Sequence, residues 1–193
     1  MGSAAEDRAK AAGLPEGDVI RILLEQHARI HDLFDEVAST KGDHKAMAFD
    51  ELRALLAVHE TAEEMVLRPV SKSVAGDEVA EARNHEEAEA NKVLAQLEKM
   101  DVSGSDFDLQ LREFRTSVDQ HAESEEKEEF PAVISRCDLQ QRRTMGDRLR
   151  KVESLAPTHP HPATAGSTAA QWAVGPFASL IDRTRDALSS GDR

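Results

Sequence analysis

Residues 121–131 read HAESEEKEEFP, and residues 59–69 read HETAEEMVLRP. Each stretch begins with a histidine, places a glutamate four positions later and ends at a proline. Four positions are about one helical turn, so His59 and Glu63 share a face, as do His121 and Glu125. Apolar residues recur around both pairs at a helical period. They are Leu52, Leu55, Leu56, Ala62, Val66 and Val70 for the first, and Phe107, Leu111, Phe114, Val118 and Ala132 for the second. Both His–Glu pairs fall on these stripes. Glu60 and Glu64 turn away, and Glu129 lies near the edge of its stripe.

The same period extends outward. It predicts five helices, over roughly 18–38, 45–74, 77–100, 106–135 and 138–155. The connections KGD, AGD and DVSGSD are short, which forces antiparallel neighbours. The expected fold is all-α: an antiparallel up-down four-helix bundle with an additional C-terminal helix and tail. Pro15, Gly17 and Asp18 form a helix-start signal. Residues 1–14 are small and charged without an apolar period, and read as a flexible N-terminus. Residues 15–156 form the helical bundle. Residues 157–193 read as a Pro/Ala-rich linker followed by a short amphipathic helix carrying Phe177, Leu180, Ile181 and Leu188. Residues 172–188 offer a surface for a protein partner or for self-association.

Composition narrows the class. The 193 residues carry 24 Lys and Arg against 37 Asp and Glu, a formal charge of -13. That balance argues against nucleic acid or an anionic membrane as the main partner. Aromatics are 4% and tyrosine is absent, which disfavours an all-β fold. The single cysteine, Cys137, fits a reducing compartment. With no long apolar run and no signal peptide at the start, a cytoplasmic location is expected. The cluster of Arg142, Arg143, Arg148 and Arg150 on the fifth helix reads as a solvated face offsetting an acidic body, rather than an RNA surface. That helix turns Met145, Leu149 and Val152 to one side.

On the first helix, Val19, Leu23, Ile30, Phe34 and Val37 form the stripe. His27 lies inside it and His31 at its border. On the third, the stripe is Val79, Ala82, Ala90, Val93, Leu94, Leu97 and Met100. Glu86 lies close to its centre and His85 about 110° away. The core thus gathers His27, His59, Glu63, Glu86, His121 and Glu125, with His85 the alternative on the third helix. Unpaired buried carboxylates each cost several kcal/mol, against a total stability of about 5–15 kcal/mol. No Lys or Arg falls on the stripes to pair with them. Two metal ions supply the missing charge. A lone core histidine is ordinarily hydrogen-bonded, and one His-x-x-x-Glu pair arises often by chance; two pairs on inward stripes of one bundle are far rarer. Mixed imidazole and carboxylate suits iron, with manganese or zinc as alternatives, and an oxo or hydroxo bridge completes the balance. A thiolate cage, the ferritin-like Glu-x-x-His order and the zincin motif are all missing. His159 and His161 belong to the Pro-rich linker.

With QHARIHDLF in the first helix, HETAEEMVLRP in the second and HAESEEKEEFP in the fourth, residues 18 to about 155 resemble the hemerythrin-like, or HHE cation-binding, family. The resemblance implies a four-helix bundle holding a non-haem di-iron centre. It matches His27, His59, Glu63, His121 and Glu125 to ligands, with Glu63 and Glu125 as bridging carboxylates. The family's third-helix histidine is followed by apolar residues about four and seven positions on; Ala90 and Val93 put Glu86 in that slot. A glutamate there makes the site more anionic, favouring the ferric state and weakening reversible dioxygen binding.

The pocket over the metals is expected to be lined by Ile30, Phe34, Leu56, Phe114 and Val118. It admits dioxygen, nitric oxide or peroxide. The resemblance implies dioxygen binding, catalase-like or nitric-oxide-reducing chemistry in stress defence. His31, one turn from His27, reads by default as a half-exposed surface histidine, with support of a ligand or proton relay as the alternative. The alternative is a metal-dependent oxygen- or iron-sensing module that acts through the C-terminal segment.

Overall fold

A computed structural model describes residues 2–155, and every regular element among them is helical. The order is α1 (Ala4–Ala12), α2 (Val19–Ser39), α3 (Gly42–Ala62), α4 (Arg68–Ala75), α5 (Asp77–Leu97), α6 (Ser105–Ser124), α7 (Phe130–Arg136) and α8 (Leu139–Leu155). One π-helical turn, Glu63–Leu67, joins α3 to α4, and a second, Glu125–Glu129, joins α6 to α7. Counted with these turns, α3–α4 and α6–α7 are two long helices. Together with α2 and α5 they make the bundle. The amphipathic segment expected over 172–188 lies outside the described residues.

The helix-start signal works through Asp18. One carboxylate oxygen accepts the Ile20 N–H at 3.1 Å, capping α2. The other accepts Arg142 Nε at 2.8 Å, which ties the start of α2 to α8. Met145, Leu149 and Val152 are buried as the periodicity predicts. Arg142 also donates to the carbonyls of Ile134 and Cys137, and Arg143 to that of Glu16. Two members of the arginine cluster therefore dock α8 on the bundle.

The N-terminus departs from expectation. Residues 4–12 form a helix, with Ser3 accepting the Glu6 N–H at its start. Its inward residues are Asp7 and Ala11. A helix anchored by one alanine and one aspartate has no apolar period to read. The aspartate is held at the bundle surface by His31, 3.4 Å away.

The π turns have a local cause. Proline lacks the N–H that an α-helix would donate four residues back. With Pro69 and Pro131 in place, the helix widens upstream: Arg68 N–H bonds the Glu63 carbonyl, and Phe130 N–H that of Glu125. Each wide turn opens on the glutamate of its His–Glu pair and advances the helix face for everything after it. Leu67 at the end of the first turn and Arg68 and Ser71 on α4 are consequently buried, while Val70 is half-buried. On the partner helix Glu129, Phe130 and Val133 point inward instead of Ala132.

Two apolar clusters result. One joins α2's beginning, the first π turn, α7 and α8 through Leu23, Leu67, Phe130, Val133 and Leu149. The other fills the opposite end with Leu33, Phe34, Phe49, Leu52, Leu97, Phe107 and Phe114. A layer of buried polar side chains separates them.

Candidate metal centre

That layer is built at one level of four helices. His27 comes from α2, His59 from α3, Glu87 from α5 and His121 from α6, with Glu63 and Glu125 opening the two π turns. Two groups of donor atoms emerge. His27, His59, Glu63 and Glu125 bring one ligand atom each within 4.8 Å of one another, and so do Glu63, Glu87, His121 and Glu125. The two glutamates on the π turns belong to both groups.

Each histidine is aimed from behind. Its Nδ1 donates to an outer partner: Glu126 Oε1 at 3.1 Å for His27, Gln26 Oε1 at 2.7 Å for His59, and Glu86 Oε2 at 2.9 Å for His121. Gln26 is held in turn by Glu153 of α8, at 2.6 Å. The Nε2 atoms of all three rings are left facing the shared carboxylates. Those of His27 and His121 lie 3.5 and 3.2 Å from Glu125, and that of His59 lies 3.6 Å from Glu63. Such support from behind orients metal-binding imidazoles and sets their tautomer.

The inward atoms are short of partners. Nε2 of His27 and His121, both oxygens of Glu63 and Oε2 of Glu125 are buried without a hydrogen bond. Orphaned donors and acceptors at this density are uncommon in a folded interior. Imidazole nitrogens and carboxylate oxygens around one small space fit a first-row metal ion such as iron.

Without metal, protons hold the charges together. Burial opposes a charge on His27, but Glu125 and Glu126 outweigh it and hold its pKa up at about 9. Burial likewise opposes a charge on His121, yet Glu125 and Glu86 raise it to about 11. His59 is desolvated beside His27 and falls to about 3, so it stays neutral. Burial and the neighbouring Glu125 carboxylate push Glu63 upward. Glu125 is itself held low: burial works against its charge, but His121 and His27 prevail.

The structure brings together His27, His59, Glu63, His121 and Glu125. It moves the third-helix position by one residue. Glu87 faces the centre, whereas Glu86 is the outer partner of His121, and His85 is exposed at the rim. The inward line of α5 is Ala80, Arg83, Glu87, Leu94 and Leu97. Two of its members are charged, so a stripe drawn through apolar residues alone is centred too far round. The expectation that no Lys or Arg reaches the core is also overturned. Arg68, 5% exposed, pairs with Glu87, Glu125 and Glu129, and Arg83 is buried beside Glu86. The π turn rotates Arg68 inward, which a uniform period of 100° per residue cannot foresee. His31 sits between Asp7 and Asp119, 3.4 and 3.3 Å away, rather than against a ligand.

A cavity of about 250 Å³ adjoins the centre. Ile30, Leu56 and Val118 line it as expected, together with Ala90, Val93 and Glu60. Phe34 and Phe114 are instead packed against each other, 5.8 Å apart, in the distal cluster. The rim carries His85, Glu86 and Glu89. Burial beside Glu87 pushes the Glu60 carboxyl up to about 8.

The chain is similar to known proteins. A solved hemerythrin HHE cation-binding domain-containing protein from Mycobacterium kansasii superimposes with a TM-score of 0.66, covering 86% of this chain and 98% of its own, at 19% identity. An uncharacterized hemerythrin-like protein of Schizosaccharomyces pombe is 27% identical over 136 residues, 69% of this chain and 67% of that protein. A DNA nickase of Nostoc is 26% identical over 142 residues, 73% of this chain but only 40% of that relative. The model of the hemerythrin HHE cation-binding domain matches residues 18–133, a span that holds every residue of the two donor groups. The chain belongs to the hemerythrin HHE cation-binding domain family.

Proposed function

We propose that this protein holds two iron ions, one in each donor group, and uses them on dioxygen, peroxide or nitric oxide in oxidative or nitrosative defence. The observation that carries the reading is the set of buried, partnerless imidazole and carboxylate atoms beside a small cavity. Bound iron supplies the electrons and the open coordination positions for such oxidants. The chain does the rest. His59 presents a bare Nε2 already, and His27 and His121 do so once their inward protons leave, while Glu126, Gln26 and Glu86 keep the rings aimed. Glu63 and Glu125, common to both groups, would be the carboxylates shared by the two ions.

The cavity leaves ample room for dioxygen, nitric oxide or peroxide, and its acidic rim repels anions. Glu60, protonated at neutral pH, offers a proton at its carboxyl on the cavity wall. A glutamate on α5 makes the centre anionic, favouring ferric over reversibly oxygenated iron. Peroxide disproportionation therefore fits better than dioxygen storage.

Iron-loaded protein should consume hydrogen peroxide and release dioxygen. Glu63→Ala should lower that rate at least a hundredfold, and His85→Ala by less than threefold. Turnover that survives Glu63→Ala would remove the centre from the reaction.

A further inference from the structure

Arg68 stands where a second metal ion would need its ligands. Its Nη2 lies within hydrogen-bond reach of Glu87 Oε1 and 3.5 Å from Glu125 Oε1, and both glutamates belong to the group with Glu63 and His121. The group with His27 and His59 shares Glu125 but none of the ligands that Arg68 holds most closely. The two groups are thus unequal before any metal arrives. One is made of two imidazoles and two carboxylates. The other already has a cation on two of its three carboxylates.

Arg68 also has somewhere to go. Its Nη1 bonds Glu129 Oε1, while its Nε and Glu129 Oε2 are both buried without a partner. The side-on fork that Arg forms with carboxylates uses Nε together with Nη2, which share one edge of the guanidinium. Turning away from Glu87 would free Nη2 to join Nε on the two oxygens of Glu129, pairing both orphaned atoms.

We propose that Arg68 is a resident cation that holds the second metal position in the metal-free protein and moves onto Glu129 when that ion enters. The proposal rests on the two-ion reading above. Metal ions then bind in two separate steps. The first fills the His27–His59 group. The second fills the Glu87–His121 group, more weakly, because Glu87, which the first group does not use, must give up its ion pair with Arg68.

Titration of the full-length metal-free protein with Co²⁺, followed by calorimetry and by the visible bands of the bound ion, tests this. Two steps separated by at least tenfold in affinity are expected for the wild type. Arg68→Gln should tighten the second step at least tenfold and change the first by less than threefold, while Arg68→Lys keeps the separation. Glu129→Gln, which removes the place Arg68 moves to, should weaken only the second step. Circular dichroism and thermal melts establish that each variant is folded. If Arg68→Gln does not fold, the Glu129→Gln result and the wild-type separation decide. Two ions entering the wild type with equal affinity, or a second step unmoved in a folded Arg68→Gln and in Glu129→Gln, would overturn the proposal. Failure of any Co²⁺ to bind would instead sink the two-ion reading itself.

Discussion

His27 and His121 each face Glu125 with one ring nitrogen and an outer carboxylate with the other. In the metal-free protein both are protonated, and that has a consequence for stability. A histidine raised from 6.5 to about 9, as His27 is, contributes stability that is complete below pH 6.5 and lost as pH rises through about 9. His121, raised to about 11, loses its share over a wider span in the same direction. Burial raises Glu63 as well, which adds to the loss. The melting temperature of metal-free protein should therefore fall steadily from pH 6.5 to about 9. Metal binding displaces these protons, so the loaded protein should melt at a nearly constant temperature over that span. A metal-free protein that gained stability over this range would show that the inward histidines are not protonated. At this scale the sequence was readable where polar residues stood on apolar stripes: His27, His59, Glu63, His121 and Glu125. It was not readable where a charged residue met another charged residue. Arg68, Glu87 and Glu129 look like surface residues until their mutual pairing is visible, and only the spacing of Ala80, Arg83, Glu87, Leu94 and Leu97 hinted at α5's true face.

Elements depend on backbone approach as much as on side chains. Gly146 of α8 lies against Gly17, the residue that turns the chain into α2 with φ of 81°. A Cβ on residue 146 would meet the Gly17 carbonyl oxygen at 2.2 Å, and backbone cannot swing aside as a flexible side chain can. Gly146→Ala should cost about 1–3 kcal/mol, seen as a drop in melting temperature of several degrees. An unchanged melting temperature would mean that α8 is not seated against that turn. Since Glu153 of α8 holds Gln26 and thereby His59, the same variant should also weaken metal retention. Helix positions follow the 3.6-residue period closely, from the Asp18 cap to the Met145–Leu149–Val152 stripe. The two π turns do not, because a change of helix type leaves no mark in hydrophobic patterning. The prolines at 69 and 131 were its only trace, and the helices expected over 45–74 and 106–135 ran straight through them. Helix α1 escaped notice for the opposite reason, since its contacts are ionic: Lys10 with Glu126 and Asp7 with His31.

Across the whole molecule, a polar layer divides two apolar clusters, and ligands arrive from all four bundle helices. Removing the metal therefore loosens the molecule at its middle. Chelation should lower the melting temperature at neutral pH by several degrees, with the size set by how far metal concentration exceeds the dissociation constant. Helices α1 and α8 lie outside the span shared with the family, yet each reaches the centre through one outer partner, Lys10 to Glu126 and Glu153 to Gln26. Helices outside that matched span thus hold the outer partners of His27 and His59.

The most direct test is crystallographic: anomalous diffraction at the iron edge from iron-loaded crystals. Two peaks inside the polar layer are predicted, one among His27, His59, Glu63 and Glu125 and the other among Glu63, Glu87, His121 and Glu125. A layer without anomalous signal, or iron bound only at the surface, would contradict the account.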